Sequence, residues 1–209
     1  MNVNIARHLG AVQRQTGTRS KDGKLARFIT ASRVFDTTPE EVWDAISNPE
    51  RIPRWFLPVK VELEGGRTFS FEDAAHGQLE ACEAGHRLSF TWEFAGDIGW
   101  IDVTLHQEHR HTRITVEHVA FVSDEQWQKF GPGLLGLGWE QTLLRLAVHL
   151  DSGVAVVPGP FLEWLQTPNG KQFIQGASDA WAEAAVKANG DPVEAHQAAT
   201  RVAEQHARV

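Results

Sequence analysis

The segment from Gly133 to Leu150 constrains the fold most, because its pattern predicts a helix that is apolar on two sides. At about 100° per residue, one apolar stripe is formed by Leu135, Trp139, Leu143, Leu146 and Leu150. A second stripe, nearly opposite, is formed by Leu137, Leu144 and Val148, and the remaining sides carry Glu140, Gln141, Arg145 and His149. A surface helix needs only one such stripe. We therefore expect other parts of the chain to cover this helix on two sides.

The chain that precedes this helix predicts an antiparallel sheet. Lys21-Asp22-Gly23 is a turn signal between two β-like runs, and a meander of short runs extends from Val59 to Val119. The run from His86 to Phe94 alternates apolar and polar residues, which indicates a sheet with one covered face. Thr38 is expected to cap a short helix over residues 39–47, and a second short helix is expected to end before Pro53 or Pro58. Ser123 is expected to cap another short helix, Gly65-Gly66 to form a turn, and the polar residues at the N-terminus to be loose at first. We predict an α+β fold in which a curved antiparallel sheet wraps around the long helix.

Residues 154–209 differ in character from the rest of the chain. Pro158 and Pro160 indicate a linker, whereas Thr167-Pro168 and Asp191-Pro192 each indicate the start of a helix. We expect residues 1–153 to form one domain. Residues 154–209 are then a helical extension, packed on the second stripe of the long helix or across a homodimer contact.

Composition limits the classes of function. A formal net charge of −7 argues against nucleic acid or an anionic membrane surface as the main partner. No apolar run approaches the roughly 20 residues of a membrane span, and the N-terminus lacks the apolar core of a signal peptide. The single cysteine, Cys82, fits a reducing cytoplasm. No phosphate loop, zinc spacing or serine elbow is present, so we expect no cofactor and no metal.

Aromatic usage points instead to a cavity, since the chain has 8 Trp and 11 Phe. Side chains on the covered face of the sheet and on the first stripe of the helix are the candidate ligand-binding residues. They are Trp55, Phe69, Phe71, Phe90, Trp92, Ile101, Val103, Val116, His118, Leu135, Trp139 and Leu143. His118 is the one candidate catalytic residue, because a buried histidine can act as a general base. The alternative is a histidine paired with a structural partner, which we favour.

A histidine-rich hairpin tip resembles a metal site at first sight. It carries His106, Glu108, His109 and His111. Strand alternation sends neighbouring residues to opposite faces, so these side chains would share one metal only after the turn rearranged. A solvated turn is the better interpretation.

Three carboxylates, Glu93, Asp97 and Asp102, are expected near one end of the sheet. Paired carboxylates can perform acid–base work when their environments differ. The polar-face positions of Glu93 and Asp102 favour a solvent-exposed role. Cys82 has no evident histidine or helix N-terminus beside it, so it is not expected to act as a nucleophile.

Several of these segments together resemble a known superfamily. They are ASRVFDTTPEEVWDAISNPERIPRWFLPV, Gly65-Gly66, the run from Gly77 to Trp92 that ends in LSFTW, and GLGWEQTLLRLAVHL. Over residues 14–151 the chain is similar to the START-like (SRPBCC, helix-grip) superfamily. Within it, the chain resembles bacterial members of the branch related to the activator of the heat-shock-protein-ninety ATPase. The resemblance implies a helix-grip fold, and it carries over no catalytic motif.

The resemblance leaves three functions open. The first is non-enzymatic binding of a hydrophobic small molecule (a lipid, polyketide or aromatic metabolite) in the cavity between sheet and helix. The second is a polyketide cyclase- or dehydratase-like enzyme, in which His118 and a carboxylate direct ring closure. The third is a co-chaperone-like interaction module linked to the stress response. We rank chaperone binding last, because the chain lacks the additional large N-terminal domain of the eukaryotic co-chaperone.

Overall fold

The computed structural model describes residues 1, 3–64, 66–71 and 74–206. The sheet strands are β1 (Val12–Lys21), β2 (Lys24–Phe35), β3 (Val59–Glu62), β4 (Thr68–Phe71), β5 (His76–Glu83), β6 (Arg87–Phe94), β7 (Asp97–Glu108) and β8 (His111–Ala120). The helices are α1 (Ile5–Gly10), α2 (Pro39–Ser47), α3 (Asp124–Phe130), α4 (Gly133–Ser152), α5 (Pro158–Leu165), α6 (Pro168–Lys187) and α7 (Pro192–His206). A short 3₁₀ helix (Ile52–Arg54) follows α2.

The eight strands form a single antiparallel sheet in the order β1-β2-β8-β7-β6-β5-β4-β3. The β1–β2 hairpin turns at Asp22-Gly23, where both residues have positive φ (52° and 75°). Two such residues give the tight turn whose twist matches that of the strands. A register shift between Leu79 and Ala81 marks a bulge in β5, and bulges bend a sheet. The predicted α+β helix-grip fold is confirmed.

Helix α4 is covered on two sides, as its two stripes predict. On the first stripe, Leu143 and Leu146 lie in the core that α4 shares with the sheet, and Leu135, Trp139 and Leu150 pack against it. On the second stripe, Leu137 and Leu144 lie in a separate core with Val148 packed beside them. The helix therefore separates two apolar cores.

The second core is supplied largely by the C-terminal helices. They contribute Phe161, Trp164, Leu165, Phe173, Ile174, Ala177, Val202 and Ala203. The linker predicted at Pro158 and Pro160 is wrong, because these residues begin α5. The first turn of a helix has no intrahelical acceptors for its N–H groups, so proline is tolerated there.

Two smaller predictions can be compared with the structure. The N-terminal residues were expected to be loose, yet residues 5–10 form α1, which Asn4 caps by accepting from the Arg7 N–H. The second short helix was expected to end before Pro53 or Pro58, and the 3₁₀ helix includes Pro53 and ends before Pro58. The predicted turn at Gly65-Gly66 falls partly outside the described residues, since Gly65 is not among them.

Helix α4 also carries one partner of a buried ion pair. The Arg14 Nε donates to Glu140 Oε1 at 2.5 Å and its Nη2 donates to Glu140 Oε2 at 3.0 Å. Their side chains are 9% and 1% exposed, so this pair joins β1 to α4 away from water. Burial raises the pKa of the Glu140 carboxyl, and attraction to Arg14 opposes that effect.

In the described part of the chain, no helix is both long and apolar enough to cross a membrane.

Candidate functional site

A cavity of about 460 Å³ lies between the first stripe of α4 and the sheet, and we call it the apolar chamber. Seven of the predicted ligand-binding residues line this chamber alone: Trp55, Phe69, Phe71, Phe90, Val103, Val116 and Leu143. Other apolar side chains that line it were not predicted, among them Trp43, Ile46, Phe56, Val61, Leu63, Leu88, Ile114 and Leu146. Its wall is therefore mostly hydrophobic, and its polar lining residues are Ser47, Arg67, Thr68 and Thr142.

The aromatic wall of the apolar chamber follows from strand alternation. Phe69 and Phe71 lie two residues apart on β4, and Phe90 and Trp92 lie two apart on β6, so each pair shares a face. The rings of Phe69 and Phe90 meet edge to face with centroids 5.3 Å apart. The rings of Phe71 and Trp92 are 5.7 Å apart. These ring contacts fix the side chains against one another and hold the wall in shape.

A second cavity of about 510 Å³ adjoins the first, and we call it the mixed chamber. Its lining includes apolar side chains such as Leu135, Phe121 and Ile98, and polar ones from Asp97, His118, Gln126, Gln141 and Arg145. The two chambers share Phe56, Trp92, Trp139 and Thr142 in their walls. A ligand that extends past these four residues would contact apolar side chains in the apolar chamber and hydrogen-bonding groups in the mixed chamber.

The hydrogen bond between His118 and Trp139 defines the protonation of the histidine. The Trp139 Nε1 donates to His118 Nδ1 at 3.2 Å, so the ring proton of the neutral histidine lies on Nε2. Burial lowers the pKa of His118 to about 4, which keeps the ring neutral near pH 7. With Nδ1 already accepting a hydrogen bond, the free capacity of the ring is the Nε2–H donor. His118 is therefore suited to donating to a ligand rather than to removing a proton from one.

Arg145 lines the mixed chamber and was not predicted as a site residue. The residue is 7% exposed, and its Nη2 donates to the carbonyl oxygens of Phe56 (2.8 Å) and Val156 (3.2 Å). A signal for it existed in the sequence. An arginine on a helix that is covered on two sides has little access to solvent, so it requires either an internal partner or a cavity.

Ile101 is the one predicted ligand-binding residue that lines neither chamber. It is 1% exposed and lies in the core between the sheet and α4. Leu135 and His118 line the mixed chamber, and Trp92 and Trp139 line both. Whether any of these residues contacts a ligand stays a prediction.

Most of the charged candidates lie outside the two chambers and have partners of their own. Glu108 pairs with Arg113 at 2.5 Å, and Asp102 pairs with Arg87 at 2.5 Å. No group of three or more His, Cys, Asp or Glu is placed to hold a metal ion in the part of the chain that the structure describes. Asp97 lines the mixed chamber, and Cys82, which is exposed, borders the apolar chamber.

The family of the chain is shown by a match to a family model. The model describes the Activator of Hsp90 ATPase homolog 1-like protein, and it matches residues 36–151, which is more than half of the chain. The chain belongs to this family. The match begins just after β2 and ends one residue before the end of α4. It therefore includes most of the sheet and the strands that line both chambers.

The structure of this chain is similar to several solved structures. The chain is 27% identical to CalU16 from Micromonospora echinospora, whose crystal structure aligns over 83% of this chain and 98% of that chain with a TM-score of 0.65. The solution structure of CalU16 aligns over 87% and 97%, with a TM-score of 0.68. This coverage is far wider than the family match, so the likeness to CalU16 extends beyond residues 36–151.

Two more distant structures share the fold. DynU16, described as a protein in the dynemicin biosynthetic locus, is 22% identical over 61% of this chain and 48% of that chain, with a TM-score of 0.53. PFC0360w, described as an HSP90 activator from Plasmodium falciparum, is 18% identical over 61% and 96%, with a TM-score of 0.50. No curated protein matches the chain.

Proposed function

We propose that this member of the family binds a hydrophobic small molecule between the sheet and α4, without chemical conversion. The observation that carries the proposal is the apolar chamber of about 460 Å³, lined by aromatic and aliphatic side chains. Concave, mostly apolar cavities with a few polar groups are the usual sites for small molecules. A lipid, a polyketide or an aromatic metabolite fits this description, as does a cytoplasmic carrier role.

The cyclase alternative has less support, because it needs His118 as a base. The neutral ring already accepts a hydrogen bond from Trp139 at Nδ1, and burial holds its pKa at about 4. Among the described residues that line the mixed chamber, Asp97 is the one carboxylate, and no ion pair or hydrogen bond links it to His118. The co-chaperone alternative is supported by the description of the family and by a likeness of 18% identity, and the latter concerns the fold alone. Homodimer formation stays a prediction.

The test is binding of N-phenyl-1-naphthylamine, an uncharged apolar probe whose fluorescence rises out of water. Wild-type protein should bind the probe saturably, with one molecule per chain. Thr142→Phe should weaken binding at least about tenfold, because residue 142 lies in the wall that both chambers share. A factor of ten corresponds to about 1.4 kcal/mol.

Thr200→Phe is the matched control for that variant. Thr200 is exposed on α7, and its hydroxyl donates to the carbonyl four residues earlier, as the hydroxyl of Thr142 does. This control should bind the probe as the wild type does. Absence of saturable binding by the wild-type protein, or equal binding by Thr142→Phe, would refute the proposal.

A further inference from the structure

The guanidinium of Arg145 is a buried charge at the wall of the mixed chamber. Its Nη2 donates to two backbone carbonyl oxygens. The Cζ atom of Arg145 lies 5.6 Å from the ring centroid of Phe56 and 5.3 Å from the ring centroid of Phe161. The Nε is buried and has no hydrogen-bond partner. Carbonyl groups and ring faces stabilise a cation only in part. The site is therefore arranged around a positive charge without neutralising it.

Arg145 also has no carboxylate within ion-pair distance among the residues that the structure describes. Arg33 is likewise buried without an ion pair in the described chain, but while burial lowers its pKa, the nearby charges of Asp151 and Glu140 raise it, and no acid does so for Arg145. Other half-buried arginines have a direct acidic partner. Arg14 is paired with Glu140, and Arg51 is paired with Glu41 and with Asp44, the latter at 2.8 Å. Removing a charge from water is costly unless an opposite charge accompanies it. An arginine kept at this position without an acidic partner indicates that the opposite charge comes from outside the chain.

The electrostatics of Arg145 agree with this reading. Burial lowers the pKa of its guanidinium to about 10, and no neighbouring acid raises it again. The group is still protonated near pH 7. Its charge is thus available to an anion that enters the mixed chamber.

The charged and polar side chains that line the mixed chamber limit which anion it can bind. The described lining of the mixed chamber contains one cationic side chain, Arg145, together with the Asp97 carboxylate and the amides of Gln126 and Gln141. A phosphate monoester carries nearly two negative charges near pH 7, which is more than one arginine would balance in a chamber that also contains the Asp97 carboxylate. A carboxylate carries one charge, which a single arginine balances through charge-assisted hydrogen bonding.

We propose that the ligand is an amphipathic carboxylic acid. Its apolar body occupies the apolar chamber, and its carboxylate passes Trp139 to meet Arg145 in the mixed chamber, where the His118 Nε2–H is a second donor. This inference rests on the proposed function, since it assigns an orientation and a chemical class to the same binding site. It assigns to Arg145 the role of the residue that selects acids over neutral molecules of the same length.

The test compares dodecanoate with dodecan-1-ol as competitors of N-phenyl-1-naphthylamine, at about pH 7. The two competitors share a chain length and differ in the charged head. Wild-type protein should bind dodecanoate at least about tenfold more tightly than dodecan-1-ol. Arg145→Met should lose that preference while its affinity for dodecan-1-ol stays within about twofold of wild type. Arg145→Lys, which keeps the positive charge but changes the head group that carries it, should retain part of the preference.

Each outcome separates this inference from the proposed function. Equal displacement by the two competitors in the wild type overturns the acid assignment and leaves hydrophobic binding in place. A failure of the probe and of both competitors to bind overturns both. A preference that survives in Arg145→Met overturns the role of this residue. If Arg145→Met does not fold, as judged by circular dichroism, the wild-type comparison and Arg145→Lys still test the role of Arg145.

Dodecyl phosphate should bind less tightly than dodecanoate, and tighter binding would overturn the choice of a carboxylate.

Discussion

A substitution at Gly136 tests most sharply how the C-terminal helices are attached to α4. A Cβ atom at Gly136 would lie 2.2 Å from Cε2 of Trp181 and 2.6 Å from Cδ2 and Nε1 of the same ring. Trp181 is fully buried on α6. Carbon atoms in contact prefer about 3.5–4.0 Å, so a methyl group at this position would require the indole to move by more than 1 Å.

The expected cost is the balance of two opposing effects. Replacing Gly by Ala within a helix gains about 1 kcal/mol from backbone propensity. Forcing an extra methyl group into a packed core costs about 1–3 kcal/mol, and more where the neighbour is rigid. The indole of Trp181 cannot swing away as a flexible side chain would. We expect Gly136→Ala to lower the free energy of unfolding by about 1–2 kcal/mol.

Gly138→Ala is the matched control, two residues along the same helix. A Cβ atom there meets nothing within 4 Å. The control should therefore show the propensity gain alone, about 0.5–1 kcal/mol. The two variants should differ in Tm by roughly 5–10 °C, given about 2–4 °C per kcal/mol for a chain of this size.

Urea denaturation followed by tryptophan fluorescence and circular dichroism measures both variants. A Gly136→Ala protein as stable as Gly138→Ala would show that α6 does not press on α4 at this point. The close contact between α6 and α4 at Gly136 and Trp181 would then be wrong.

Three further predictions concern buried polar groups. Glu140→Gln should lower the free energy of unfolding by about 3–5 kcal/mol, because it leaves Arg14 charged and buried. Glu117→Gln is the control: Glu117 pairs with Arg19, their side chains are 33% and 38% exposed, and the loss should be at most about 1 kcal/mol. Similar losses for the two variants in urea titrations would contradict this prediction. Burial lowers the pKa of His118 from 6.5 to about 4. The neutral ring therefore contributes fully to the free energy of unfolding above about pH 6.5, and about 3 kcal/mol of that free energy is lost as the pH falls towards 4. His118→Asn should flatten the measured stability in that window, and an unchanged slope would count against a neutral, buried ring. Gly99→Ala would bring a Cβ to 2.5 Å from His118 Nε2, so it should destabilise the protein by about 1–3 kcal/mol and weaken probe binding, which an unaltered titration would disprove.

The sequence is informative about the fold because its patterns are local and periodic. Thr38 and Ser123 accept hydrogen bonds from the N–H groups three residues later, as their capping positions predict. The two stripes of α4 lie in two different cores, as a period of 3.6 residues requires. Strand alternation places Phe69 and Phe71 together for the same reason.

The failures arise where a local signal has more than one physical meaning. Pro158 and Pro160 stop a helix when they lie within it, but they also suit its first turn, and only the packing of Phe161 and Trp164 in the second core settles which applies. Ile101 shares the covered face of β7 with Val103. It lies deeper in the core, because depth along a strand depends on curvature that the alternation does not encode.

The polar part of the site was the hardest to predict from the sequence. Arg145 lies on a side of α4 that the apolar pattern leaves open, so the two-sided coverage of the helix indicates limited access to solvent but not which groups contact the guanidinium. Its burial depends on Phe56 and Val156, which are 89 and 11 residues away along the chain. Contacts over such separations follow from the packed fold and not from any local sequence signal.

Native mass spectrometry tests the central claim most directly, since it reports bound small molecules and subunit number in one measurement. Protein purified from its own host, and again after stripping and mixing with N-phenyl-1-naphthylamine, should show one small molecule for each chain. Thr142→Phe should show less bound molecule than Thr200→Phe at the same concentrations. A mass equal to that of the polypeptide alone in every sample would contradict the claim that the space between the sheet and α4 is a binding site.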